Sequence, residues 1–227
     1  MTALLPAIET ATGDTATFSI IWMHGLGADG SDFAPIVPEL ELYDRAGVRF
    51  VFPHAPSIPL TCNGGYMMPA WYDIFSLDVH NRSVDESGIV RSRESIRALI
   101  ARENERGVPS SRIFLAGFSQ GGAIAYSAGF THPEPLAGVI ALSTYIPSPT
   151  LVENEATEVN KTLPVFAGHG GMDNVVSVEL GLRASDLALR LGHPVEWRDY
   201  PMQHSVCPEE IHDIGAWLRA RMAAIGG

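Results

Sequence analysis

Gly117-Phe118-Ser119-Gln120-Gly121 sets a serine between two glycines in the pattern G-x-S-x-G. The run before it (IFLAG) is apolar and the run after it (GGAIAYSAG) is built of small residues. A sharp strand-to-helix turn at this point would present the serine oxygen at the strand end. Bulk on either flank would clash within such a turn, which explains the glycines. A serine hydroxyl is a poor nucleophile alone. It needs a base to take its proton and an acid to orient that base. With a G-x-S-x-G turn these follow in the order Ser, then Asp or Glu, then His. Asp173 lies in the loop after the apolar run PVFAG, and His204 lies in the loop after VEWRDY. Both are expected at strand ends, on the same edge as Ser119.

The other histidines fit the role less well. His193 precedes a strand and so falls at the opposite edge. His212 lies inside a helical pattern, and His80 and His132 lie in segments expected at the surface. His54 precedes the serine, against the chain order. His169 shares the acid's loop and is expected to shape it. The tetrahedral intermediate of acyl transfer carries an oxyanion, which backbone N–H groups stabilise. One donor is expected to be Gln120. The other should come from the glycine-rich loop His24-Gly25-Leu26-Gly27-Ala28, from Leu26 first and Gly27 next, with His24 bracing the loop.

The elements that must position these groups can be read from the pattern. Short apolar, β-branched and aromatic runs at Phe18–Met23, 48–52, Ile113–Phe118, 139–142, 165–167 and 195–200 read as strands. Helical periodicity covers 85–106, 121–131, 178–191 and 209–224, with Ser83 and Glu86 spaced as a capping box for the first. Alternating strands and helices predict an α/β fold, a mostly parallel sheet with helices on both faces. Ligands of such sheets bind beyond the carboxyl ends of the strands. Residues 53–81, rich in proline, glycine, methionine and aromatics, read as a long loop, either a functional lid or binding loop or a packed loop filling one side of the core.

The 227 residues suit a single domain spanning 1–227. The net charge of −11 argues against a general electrostatic grip on nucleic acid or on an anionic membrane. Two cysteines, Cys62 and Cys207, make no disulfide framework and read as free thiols. The N-terminus lacks the basic and long apolar regions of a signal peptide, and no run is long enough to span a membrane; a cytoplasmic location is expected.

Six stretches together resemble the carboxylesterase/lysophospholipase/acyl-protein thioesterase group of α/β hydrolases: HGLGADG (24–30), RFVFPHAP (49–56), NGGYMMPAWYDI (63–74), GFSQGGAIA (117–125), HGGMDNVV (169–176) and YPMQHS (200–205). They run in that family's order and cover nearly the whole chain. The resemblance implies an α/β-hydrolase fold, hydrolysis of small-molecule acyl esters without metal or organic cofactor, and homodimers. It supports Ser119, Asp173 and His204 as the catalytic residues and Leu26 and Gln120 as oxyanion donors. It also implies that the AWYD segment flanks the acyl pocket, which points to Met68 and Trp71 as lining. Two positions depart from the family pattern: Asn174 follows the acid where proline is usual, and Gln203 precedes the histidine where glycine is frequent.

The reaction expected is attack of Ser119 on an ester of short to medium acyl chain, with turnover rising with pH as His204 loses its proton. Acyl-protein or acyl-CoA thioesterase and lysophospholipase activities satisfy the same residues. A peptidase would be expected to carry an extra cap or propeller domain. A catalytically silent module that binds lipid or a partner is the reading from another class.

Overall fold

The computed structural model describes residues 4–42, 47–76 and 83–226. In chain order the strands are β1 (Ala7–Ala11), β2 (Phe18–Met23), β3 (Val48–Pro53), β4 (Ser57–Leu60), β5 (Tyr66–Pro69), β6 (Ile74–Ser76), β7 (Ser83–Val84), β8 (Ile113–Phe118), β9 (Gly138–Leu142), β10 (Val165–Gly170) and β11 (Val195–Tyr200). The α-helices are α1 (Glu86–Glu105), α2 (Gln120–Phe130), α3 (Pro149–Glu155), α4 (Val178–Arg190) and α5 (Pro208–Gly226). Seven strands form the central sheet in the order β1-β3-β2-β8-β9-β10-β11. All pair in parallel except β1, which runs antiparallel to β3 at one edge. The expected α/β-hydrolase architecture is therefore present.

Strand side chains alternate between faces, so a buried parallel strand feeds two cores. In β2, Ile21 and Met23 join one cluster with Leu115 of β8, Ile96 and Leu99 of α1, and Leu187 of α4. Ile20 and Trp22 join the other, with Phe114 of β8 and with Ile214, Trp217 and Leu218 of α5. Helix α2 is buried along its entire length, which its small residues allow by letting it lie close on the sheet.

Three sequence expectations change. Asp85 holds the N-cap position of α1, without a side-chain cap bond; Ser83 instead belongs to β7 and pairs with Ser76 of β6, and Glu86 accepts a hydrogen bond from Ser148 Oγ at 2.5 Å. The 53–81 segment is no plain loop: Ser57–Leu60 and Tyr66–Pro69 form an antiparallel ribbon, and Ile74–Ser76 pairs with β7. Residues 77–81 of that segment, with His80, lie outside the described residues. His132 is buried, not on the surface.

Candidate active site

Strand β8 is fourth of the seven, and Ser119 stands between its end and α2. Its backbone has φ 53° and ψ −119°, a left-handed conformation that a side chain rarely adopts. The surroundings hold it there. Ser119 N–H donates to Leu142 O at 2.8 Å, and Ser119 O accepts from Thr144 Oγ1 at 2.6 Å. The two motif glycines are steric requirements. A Cβ on Gly117 would lie 2.3 Å from the backbone of Gly121, and one on Gly121 would lie 2.4 Å from Met23 O.

Asp173 follows β10 and His204 follows β11, so the parallel sheet delivers all three side chains to one edge. His204 Nε2 is 3.0 Å from Ser119 Oγ, and His204 Nδ1 is 2.6 Å from Asp173 Oδ2. With the proton on Nδ1 donated to Asp173, the lone pair of Nε2 faces the serine hydroxyl. The Phe118 ring packs against the imidazole at 4.7 Å. Asp173 Oδ1 accepts from the N–H groups of Val175 and Val176 at 2.8 and 2.9 Å. The carboxylate is buried, fully hydrogen-bonded and fixed in orientation. His169, also buried, bonds through Nε2 to Val176 O at 2.9 Å and stacks on Trp197. Desolvation lowers its pKa. It shapes the acid's loop, as the sequence led us to expect. His193 stacks on Phe130, and burial pushes its pKa down to about 4.

The other side of Ser119 is formed by residues 24–28 and 69–74. His24 Nε2 accepts from Ala55 N–H at 3.0 Å, so its Nδ1–H donates to Gly25 O at 2.7 Å. This neutral form agrees with the pKa lowered by burial. His24 therefore braces the loop. Gly27 N–H is bonded to Pro69 O at 2.8 Å, which removes it from the two alternatives for an oxyanion donor. Leu26 and Gln120 both border the cavity beside Ser119.

That cavity is about 380 Å³ and predominantly apolar, within the range of small-molecule sites. Tyr72, Ile74, Phe118, Tyr145, Val175 and Val176 form much of its wall, and Asp32 also lines it. Met68 and Trp71, expected in the lining, are not on this wall. Met68 rests beside Gly27, and Trp71 is buried behind the cavity with its indole N–H bonded to His24 O at 2.9 Å. Tyr72 and Ile74, one and three positions on, take their place. Among the described residues no group of three or more His, Cys, Asp or Glu side chains is arranged to hold a metal ion, and no helix is long and apolar enough to cross a membrane.

Residues 6–222 match the family model for phospholipase/carboxylesterase. Acyl-protein thioesterase 1 of Mycosarcoma maydis is 41% identical over 226 residues, which is 93% of this chain and 94% of that protein. A probable carboxylesterase of Oryza sativa subsp. japonica is 33% identical over 97% of this chain and 84% of its own length. The crystal structure of Arabidopsis thaliana SOBER1 superimposes with a TM-score of 0.85 at 29% identity, covering 90% of this chain and 99% of that one.

Proposed function

The chain belongs to the phospholipase/carboxylesterase family and is a serine hydrolase, and from that premise we infer that it cleaves acyl esters through an acyl-enzyme on Ser119. The observation that carries this reading is the linked pair of contacts, Ser119 Oγ to His204 Nε2 at 3.0 Å and His204 Nδ1 to Asp173 Oδ2 at 2.6 Å. His204 takes the serine proton as Oγ attacks the carbonyl carbon. Asp173 keeps the imidazole in the required tautomer and stabilises the imidazolium that forms. The N–H groups of Leu26 and Gln120 hold the oxyanion, and the engagement of Gly27 N–H elsewhere supports Leu26 over its neighbour. His204 then protonates the leaving group, and water repeats the sequence on the acyl-enzyme.

The apolar cavity of about 380 Å³ suits a short to medium acyl chain, with Tyr72 and Ile74 supplying the wall from the 53–81 segment. A second reading, an acyl-protein thioesterase, is favoured by the name and 41% identity of the fungal relative. The catalytic groups serve both, because a thioester forms the same acyl-enzyme.

A fluorophosphonate probe should label the protein at Ser119, and Ser119→Ala should abolish labelling and reduce ester turnover by on the order of 10⁴–10⁶. Near-full turnover of p-nitrophenyl esters by Ser119→Ala would refute the mechanism. A series from acetate to palmitate, run beside an S-palmitoylated peptide, decides between the two substrate classes. Homodimerisation, which the family resemblance implies, is read by size-exclusion chromatography at several concentrations.

A further inference from the structure

Gln120 has two parts with separate surroundings. Gln120 lines the cavity beside Ser119, while its side-chain carboxamide is buried and bonded into the 69–74 segment. There the carboxamide uses both ends. Oε1 accepts from Trp71 N–H at 2.8 Å, and Nε2 donates to Tyr72 O at 2.7 Å. Trp71 is held at every polar group it owns. Its N–H goes to Gln120, its carbonyl accepts from Ser92 Oγ, and its indole N–H donates to His24 O at 2.9 Å. The same segment reaches the 24–28 loop a second time, where Pro69 O accepts from Gly27 N–H at 2.8 Å. Leu26 lies between these two fastened points, His24 and Gly27.

We propose that the Gln120 carboxamide and the Trp71 indole are positioning groups that set the spacing between the two oxyanion donors. Gln120 carries one donor on its own backbone. Through its side chain it fixes Trp71, and Trp71 fixes the loop that carries the other donor. Neither side chain touches the substrate. The relay is buried, so its donors and acceptors have no water to turn to when a partner is removed. Its effect falls on the oxyanion and not on ground-state binding, because donor geometry matters most where charge develops. This inference rests on the assignment of Leu26 and Gln120 as oxyanion donors.

Gln120→Met keeps the backbone N–H and the side-chain length while removing both hydrogen bonds. Trp71→Phe removes the indole N–H and keeps an aromatic ring. Each is expected to lower kcat about 10- to 100-fold with a short ester, since small misplacements cost that much, while KM moves less than about 3-fold. Affinity for an alkylboronic acid, which forms a tetrahedral adduct on Ser119, should fall by the same factor as kcat/KM. The double variant should lose less than the product of the single losses, because both lie on one relay. Wild-type kcat and boronate affinity in folded Gln120→Met, or a loss confined to KM, would overturn the inference. Should Gln120→Met fail to fold, Trp71→Phe carries the same test with the same outcomes. If Ser119→Ala retained turnover, the underlying reading would fail first; an inactive Ser119→Ala beside a fully active Gln120→Met sinks the positioning role alone.

Discussion

The two sides of Ser119 are built by different means. On one side, Asp173 and His204 stand in short loops just beyond parallel strands of the central sheet, and the contacts that matter join their side chains to each other and to the serine. On the other, the 24–28 loop is the only part rooted in the sheet. It is located by hydrogen bonds to Ala55 and to the 69–74 segment, which runs from the end of β5 to the start of β6. Short loops leaving rigid strands place a side chain with a few local hydrogen bonds, such as those from Val175 and Val176 N–H to Asp173. A loop that must place a backbone N–H needs other groups to hold it.

The first side should fail abruptly. Asp173→Asn is expected to lower kcat by about 10⁴, because it favours the wrong imidazole tautomer while leaving the geometry in place. A loss below 10-fold in steady-state ester hydrolysis would mean that the strand-borne side is less decisive than its distances suggest. The elbow that joins the two sides should fail by unfolding. Gly117→Ala puts a Cβ 2.3 Å from backbone atoms of Gly121, and a loss of about 3 kcal/mol or more is expected in denaturant titration.

A smaller effect lies in α5. Glu210, in the first turn of α5, is fully buried, and its pKa is pushed up to about 8 by desolvation and then by the nearby Asp213. The folded state thus keeps a proton that the unfolded chain releases near pH 4.5. Stability from this group is present below pH 4.5 and declines as pH rises to about 8. Glu210→Gln should flatten that decline, by on the order of a few kcal/mol at most, in unfolding experiments at pH 5 and pH 9. An unchanged pH slope would show that the carboxyl finds compensation. The smallest change is expected on the ribbon side. Ile74→Ala should widen the cavity and raise kcat/KM for longer acyl chains relative to acetate by a few-fold, measured across p-nitrophenyl esters.

Legibility from sequence divides along the same line. Ser119, Asp173 and His204 are legible because each lies within a few residues of the carboxyl end of a run that reads as a strand, so type and position coincide. The six strands read from such runs are all in the sheet. β1 was missed because AIETA is short and half-exposed, with no apolar run to mark an edge strand. Trp71 was assigned to the cavity because an aromatic in a Pro/Gly-rich stretch looks like lining. It instead makes three hydrogen bonds to partners far away in sequence, which no local pattern announces.

The place of β8 at the middle of seven strands has one further consequence. The Ser119 amide, bonded to Leu142 O across to β9, should exchange with solvent deuterium only when the whole sheet opens. Fraying at the sheet margins would leave the nucleophile intact. His204, however, follows the edge strand β11, so the base should be lost first, and thermal inactivation should precede global melting.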